Sequence, residues 1–388
     1  MVPGGAFPAG CLPSGVPAAR WRVKNMGAME LMSPAGSPLC GRAVLQAGAD
    51  AVYLGLRDLS HQRDQCRNFD AGELDALCTQ AGARGVGVYV TFNSSYNRSD
   101  YAEILRRIDE LAEREVAGVI LADIGLIRDV HRRHPTMEIE LSVQGQCANR
   151  RSAALLAELG VSRVVLDRNI SIAEARAIKE ASGLAVDLFA FGFQCYSQDS
   201  ICYMGDYWSG MPCKVHCTGR VRFDDAPGAS ARHLFMKYYS GLRYLDRMAD
   251  AGVDRIKLEG RHRSSAYARR VTAVFRAALD HLARCRVEGR DYRVAPAWEA
   301  ALRTAAMGFE VTDGFFVDGD YRRRVDTHPP LESAAHFVFD TVRVLVESGN
   351  LETFRTEMRA GWDRFWSRSD DRPDPDRGSS DGSFGGLE

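Results

Sequence analysis

The feature that most constrains this chain is an eightfold alternation of short, β-rich apolar segments with longer amphipathic ones. That alternation is typical of parallel βα units. The eight candidate strands are Met29–Ser33, Ala51–Gly55, Val86–Phe92, Gly118–Ala122, Glu138–Val143, Arg163–Leu166, Val186–Phe191 and Arg255–Leu258. Eight parallel strands with outer helices close most simply into a barrel. We therefore predict an α/β fold, a TIM-type (β/α)8 barrel with a small C-terminal extension, with an open doubly wound sheet as the alternative.

The intervening segments carry apolar residues at three- and four-residue intervals, which is the pattern of an amphipathic helix. Predicted helices are Pro38–Ala47, Ala71–Ala83, Tyr101–Arg114, Arg150–Leu159 and Ile172–Ala181. In "AGAD", "ARGV", "AELGV" and "ADAGVD" a glycine follows a helix, where a left-handed C-terminal residue is favoured. Because active sites of TIM barrels lie at the carboxyl ends of the strands, we look for function just after each strand.

Four of the ten cysteines follow the seventh strand closely. They are Cys195, Cys202, Cys213 and Cys217, with the spacing C-x6-C-x10-C-x3-C. Such crowding in a long chain suggests metal in a reducing compartment rather than a disulfide framework. Four thiolates are what an iron–sulfur cluster requires, and zinc is the alternative because C-x3-C suits a zinc knuckle. Cys40 and Cys78 are predicted to be small core residues. Cys66 and Cys147 follow strands and could lie at the same end of the barrel as the four clustered cysteines.

Polar side chains follow several strands at the same predicted end, and among them Asn93, Asp123, Gln144, Arg168, Glu259 and Arg261 stand out. The candidate catalytic residues are Arg168, Arg261, Gln144 and Glu259. The planar fork of arginine binds a carboxylate with two parallel hydrogen bonds, and Gln144 could orient a hydroxyl or a water. A structural salt bridge, for example between Arg261 and Glu259, is the alternative for the arginines, and an ordinary polar role inside the barrel is the alternative for Gln144.

The length and composition of the chain limit the functions that it can have. The 388 residues fit one catalytic domain with appendages, and 50 basic residues nearly cancel 51 acidic ones, so no global field attracts nucleic acid or a membrane surface. No apolar stretch is long enough for a membrane span, and we expect a cytoplasmic protein. We predict a flexible extension over 1–28, with Met26 or Met29 as the true start, a barrel over 29–325 with an iron–sulfur loop at 193–220, a helical extension over 333–366 and a disordered tail over 367–388.

Several motifs resemble the collagenase-like peptidase family, U32, over most of Met29 to about Phe316. They are "MELMSPAGS", "AGADAVYLGL", "LADIGLIR", "LSVQ", "RVVLDRNIS", "FAFG" with its cysteines, and "AGVDRIKLEGRHRSSAY". Protease chemistry is nevertheless not expected, because the chain has no HExxH or GxSxG motif and no histidine singled out to activate Cys195. The resemblance implies a different activity, hydroxylation without molecular oxygen.

Within the family, "LFAFGFQC", "CYMGDYWSG" and Trp298 after a proline most resemble the UbiU-like branch of oxygen-independent ubiquinone biosynthesis. That resemblance implies a [4Fe–4S] cluster on the four cysteines, a heterodimer with a UbiV-like family member, an aromatic or quinone-precursor substrate, and prephenate as hydroxyl donor. The close Cys213–Cys217 pair is more UbiV-like, and in that branch a cysteine after strand two, here Cys66, replaces one ligand. Relatives that hydroxylate tRNA or rRNA suggest RNA as the alternative substrate, and a non-catalytic cluster-bearing scaffold is the third hypothesis.

Overall fold

The structure is a computed structural model that describes residues 29–57, 66–195, 237–307 and 309–317. Its centre is a closed barrel of eight parallel strands: β1 Glu30–Ala35, β2 Ala51–Leu54, β3 Gly87–Phe92, β4 Gly118–Leu121, β5 Glu138–Leu141, β6 Arg163–Val165, β7 Ala185–Phe193 and β9 Arg255–Leu258. Each strand pairs in parallel with the next, and β9 pairs with both β7 and β1, which closes the barrel. The predicted TIM-type barrel and its eight strands are confirmed.

Helices surround the barrel. They are α1 Pro38–Gln46, α2 Ala71–Gly82, α3 Arg98–Ala112, α4 Ile124–Arg133, α5 Arg150–Glu158, α6 Ile172–Ser182, α7 Leu245–Asp250, α8 Ser265–Val287 and α9 Pro296–Ala305. Side chains fix several of their starts, and Asp70 and Ser171 each form a reciprocal capping box with the glutamate three residues later. The four glycines predicted to be left-handed have positive φ angles, which confirms that prediction: Gly48 90°, Gly85 67°, Gly160 100° and Gly252 77°.

Two short strands beside the mouth of the barrel were not predicted. The nine-residue β7 continues beyond the barrel, and its last residues pair in antiparallel fashion with β8, Tyr238–Ser240. The second short strand, β10 at Val311–Thr312, pairs in parallel with β8. These pairings hold the chain on both sides of the cysteine segment, since the backbone N–H of Gln194 donates to the Lys237 carbonyl at 2.8 Å.

The apolar core has two parts. The larger one lies between the barrel and its helices, and a smaller one inside the barrel is formed by Met32, Ala51, Tyr53, Tyr89 and Ile120. The interior also contains fully buried charges, which are described with the site below. No helix in the described ranges is long and apolar enough to cross a membrane.

Several predicted segments lie outside the described residues. They are the extension at 1–28, residues 196–220 of the cysteine loop, the helical extension at 333–366 and the tail at 367–388. The predictions for these segments stay predictions.

Candidate active site

A cavity of about 60 Å³ opens at the carboxyl ends of the barrel strands. This is the end at which TIM barrels carry their active sites. Its lining comes from seven of the eight barrel strands or the turns after them: Tyr53, Thr91, Asn93, Ile120, Ser142, Val143, Gln144, Val165, Arg168, Phe189, Lys257, Glu259, Gly260 and Arg261. All four predicted catalytic residues are therefore brought together around one cavity, as is Asn93. Asp123 instead caps α4, where its carboxylate accepts from the Leu126 N–H at 3.0 Å.

Arg168 and Glu259 form an ion pair at the edge of this cavity. The Nη2 of Arg168 donates to Oε1 of Glu259 at 2.5 Å, and both side chains are largely buried, with 8% and 14% exposure. The guanidinium also lies over the ring of Phe189, 4.4 Å from its centroid, where a cation is attracted by the π face. A structural salt bridge was the alternative for the arginines, and Glu259 forms it with Arg168 instead of Arg261.

Arg261 is buried and reaches across the barrel toward β3. Its Nη1 donates to Oγ1 of Thr91 at 2.7 Å, and that hydroxyl in turn donates to the Leu54 carbonyl at 2.9 Å. Gly260 precedes it with a φ of 126°, a conformation that redirects the chain after β9. The guanidinium is 5.9 Å from the ring centroid of Tyr53, so its position is fixed from two sides.

Lys257 also lines the cavity and was missed by the sequence analysis. Its ammonium donates to Oε1 of Glu140 at 2.6 Å and lies 4.7 Å from the Tyr53 ring centroid. Burial lowers the pKa of Lys257 and Glu140 opposes that shift. A signal was present, because Lys257 lies between Arg255 and Glu259 at the two-residue spacing of side chains on one face of a strand.

A chain of buried charges continues from Lys257 toward the opposite end of the barrel. Glu140 also accepts from Arg255, and Nε of Arg255 donates to Asp187 at 2.7 Å, all three side chains being fully buried. Arg163 links Asp187 to Glu138 with two contacts of 2.9 Å. Burial alone would raise the pKa of Glu140, but Arg255 and Lys257 outweigh it and hold that pKa below its ordinary value. Glu140 is therefore a carboxylate that fixes the lysine beneath the cavity.

Two buried acceptor atoms of the cavity lining make no hydrogen bond to any described residue. They are Oε2 of Glu259 and Oε1 of Gln144. Gln144 lies in a 3-10 turn, Val143–Gly145, that follows β5 and is held by Ser142, whose Oγ accepts from the Gln144 N–H at 3.2 Å. Buried polar atoms in proteins are nearly always hydrogen-bonded, so a molecule in the cavity is the expected partner.

Cys195 is the one predicted cluster ligand within the described residues. It is partly exposed and follows β7 by two residues, at the same end of the barrel as the cavity. Cys202, Cys213 and Cys217 lie outside the described residues, and the described ones alone contain no group of three potential metal ligands. Cys66 is buried, and so is Cys147, whose pKa burial raises to about 11. Cys40 and Cys78 are buried core residues, as predicted.

The charges of the lining favour a polar, anionic or hydrogen-bonding ligand. Three cations, Arg168, Lys257 and Arg261, line the cavity with one carboxylate, Glu259. The pairs that fix these side chains leave them little freedom, so the site is preorganised in the way that binding sites on rigid strand ends usually are.

Comparison of the sequence with known proteins identifies relatives and a family. Over 307 residues the chain is 27% identical to the tRNA hydroxylation protein P1 of Bacillus subtilis (strain 168), covering 74% of this chain and 72% of that protein. It is also 27% identical over 263 residues to the 23S rRNA 5-hydroxycytidine C2501 synthase of Escherichia coli (strain K12), covering 65% of this chain. The chain spans only 39% of the length of that second relative.

Two further similarities were found. The chain is 23% identical over 278 residues to a collagenase of Porphyromonas gingivalis, covering 66% of each protein. A solved structure of a U32 peptidase matches 62% of this chain and 96% of its own at 15% identity, with a TM-score of 0.41. The model of Peptidase family U32 matches residues 36–326, which is most of the chain and includes the whole cavity lining. The chain therefore belongs to Peptidase family U32, and the resemblance first seen in its motifs is confirmed.

Proposed function

We propose that this protein is an iron–sulfur-dependent hydroxylase component that adds a hydroxyl group to a pyrimidine base of RNA without molecular oxygen. The observation that carries the proposal is the preorganised polar cavity at the mouth of a U32 barrel, at the end where Cys195 leaves β7. Relatives named for tRNA and rRNA hydroxylation support the reaction type. A cytoplasmic location is part of the proposal, because RNA is modified there.

The cluster belongs to the proposal through its predicted ligands Cys195, Cys202, Cys213 and Cys217. Cys195 fits the role, since its thiol is partly exposed at the mouth of the barrel, whereas a fully buried and unpaired thiol resists the ionisation that ligation needs. The buried Cys147, with its raised pKa, fits that role poorly. When bound, a [4Fe–4S] cluster would supply an electron-transfer centre and an iron site beside the cavity.

The chain's own residues would bind and orient the reactants. Arg261 and Lys257 offer fixed positive charge to an anionic co-substrate, and prephenate is the donor that the family resemblance suggests. Arg168 suits that task less well than the sequence suggested, because Glu259 already occupies one of its donors at 2.5 Å. Arg168 instead holds Glu259 in place beside the cavity.

A quinone-precursor substrate and a UbiV-like partner remain predictions from the sequence motifs. Two of the relatives reported above are named for tRNA or rRNA modification, so we base the proposal on RNA. The near-neutral net charge of −1 predicts that RNA binding depends on local contacts around the mouth and not on a global field.

The proposal is tested by expressing the chain in a bacterial strain that lacks its own RNA hydroxylation and analysing digested tRNA and rRNA by mass spectrometry. We expect a cytidine or uridine that has gained one oxygen atom. The Cys195→Ala variant should abolish the product, and Cys285→Ala, a buried cysteine on α8, should retain it. Unmodified RNA from a strain whose purified protein contains iron and sulfide would contradict the proposal and favour the quinone or scaffold hypotheses.

A further inference from the structure

Oε2 of Glu259 and Oε1 of Gln144 are buried acceptors without a donor among the described residues, and both residues line one cavity. The two atoms come from opposite parts of the barrel, since Gln144 follows β5 and Glu259 follows β9. A buried acceptor that has lost its water and gained no donor destabilises the protein. Two of them in one cavity indicate that the site is completed by a molecule with N–H or O–H donors.

Glu259 cannot turn away to satisfy this oxygen elsewhere. The other carboxylate oxygen of Glu259 accepts from Arg168 at 2.5 Å, and the backbone N–H of Glu259 donates to the Phe191 carbonyl at 2.9 Å. Gly192 packs so closely on the carboxylate that an added Cβ would overlap it. Arg168 is itself held over the ring of Phe189. The free carboxylate oxygen is therefore a fixed acceptor, and a ligand must bring a donor to it.

Donors lie in the same lining. Arg261 and Asn93 carry N–H groups that can meet carbonyl oxygens of a ligand, while Glu259 and Gln144 can accept from its N–H groups. A flat heterocycle with adjacent C=O and N–H groups matches that mixture of donors and acceptors.

We infer that Glu259 and Gln144 are specificity-determining residues that read the N–H edge of a pyrimidine base in the cavity. The inference rests on the proposed function and adds to it the atoms that select the base. In uracil the donor is the single N3–H, which can satisfy one of the two acceptors, whereas the N4 amino group of cytosine carries two N–H hydrogens. The site should bind the base with its N–H donor much more tightly than an analogue without it, because a site built around a hydrogen bond rejects an analogue that lacks the donor.

The test uses the full chain purified anaerobically with its iron and sulfide, and four free nucleosides as probes. Binding of uridine, 3-methyluridine, cytidine and N4,N4-dimethylcytidine is followed by saturation-transfer NMR and calorimetry. We expect uridine or cytidine to bind at least about tenfold more tightly than its methylated analogue, a loss typical of one hydrogen bond to a charged group. Which pair shows the difference identifies the base. Equal binding of methylated and unmethylated nucleosides, or binding of none of them, would overturn the inference and leave ordered water as the partner of the two acceptors.

A protein variant gives an independent check. Gln144→Leu removes one acceptor at similar size and leaves the Arg168–Glu259 pair intact, so it should reduce the preference for the unmethylated nucleoside. Gln46→Leu, an exposed glutamine at the end of α1, is the matched control and should keep the wild-type preference. An unchanged preference in Gln144→Leu would show that Gln144 does not contribute to the recognition of the N–H donor.

The RNA assay separates this inference from the proposed function. Hydroxylated RNA together with equal binding of methylated and unmethylated nucleosides would contradict the inference and leave the proposed function standing. Donor-dependent nucleoside binding by a protein that leaves RNA unmodified would support the inference and contradict the proposed reaction.

Discussion

Glu259 has a single conformation because its neighbours leave no other. Arg168 binds one oxygen, β7 binds its backbone, and Gly192 leaves space for the carboxylate where any side chain would intrude. Gly192 does not have a positive φ, so glycine is required there for space and not for backbone conformation. The position of the Glu259 carboxylate is thus set by the absence of a side chain on the neighbouring strand.

Gly192→Ala should therefore disturb the site more than an ordinary glycine replacement. Its Cβ would displace Glu259 and break the contact with Arg168, and such overpacking costs about 1–3 kcal/mol of unfolding free energy. The matched control is Gly72→Ala in α2, where the nearest atom to the new Cβ is Oδ1 of Asp70 at 3.7 Å. That change should be neutral or stabilising by about 0.5–1 kcal/mol. Urea denaturation measures both, and equal stabilities of the two variants would refute this account of Gly192.

The four predicted catalytic residues do meet at one cavity, because each follows a parallel strand at the same end of the barrel. Their pairing was not predictable from spacing. Glu259 and Arg261 are two residues apart, which on a straight strand places side chains on one face. The φ of 126° at Gly260 breaks that alternation and sends Arg261 to Thr91, leaving Glu259 for Arg168. A turn of this kind depends on tertiary packing, for example the contact of Gly36 with the Arg261 backbone.

The strands β5, β6, β7 and β9 carry charges that point into the barrel. Their signal was in the sequence, as acidic and basic residues alternating with apolar ones in "EIEL", "VDL" and "RIKL". The apolar residues of these segments predict the strands, whereas no role was predicted for the charged ones. The structure shows that opposite charges from different strands neutralise each other, which is how a buried charge is tolerated. The short β8 and β10 had no comparable signal, since strands of three and two residues depend on the overhanging end of β7.

Glu140→Gln tests how much the interior of the barrel depends on this network. The amide cannot balance both Arg255 and Lys257, and breaking a buried pair costs about 3–5 kcal/mol. Glu103→Gln on α3 is a matched control, because Glu103 also binds two arginines, Arg106 and Arg107, but is 45% exposed. Surface pairs of this kind contribute little to stability, because water screens the two charges. Chemical denaturation should show the difference, and similar losses in the two variants would show that the buried network contributes no more than a surface pair.

The same network predicts how the stability of the whole barrel responds to acid. The groups that face Glu140 are Arg255, Lys257 and Arg163, and together they hold its pKa below the ordinary value of 4.5. A carboxyl whose pKa is lower in the folded than in the unfolded state stabilises the fold above the unfolded value and loses that contribution as pH falls through the folded value. Glu30 acts in the opposite direction, because burial raises its pKa and its contribution is lost as pH rises through that raised value.

We therefore expect the unfolding free energy of the wild-type protein to fall steeply as the pH drops below the ordinary glutamate value of 4.5. In Glu140→Gln the fall should be shallower, so that the gap between the two proteins is widest near neutral pH and narrows in acid. Denaturation midpoints measured in urea from neutral pH downward give both curves. Parallel curves would mean that the pKa of Glu140 does not differ between the folded and unfolded states, and acid sensitivity would then have to come from other carboxylates. A narrowing gap would show that the charges beneath the cavity, which fix Lys257 in its lining, also set the pH range over which the barrel stays folded.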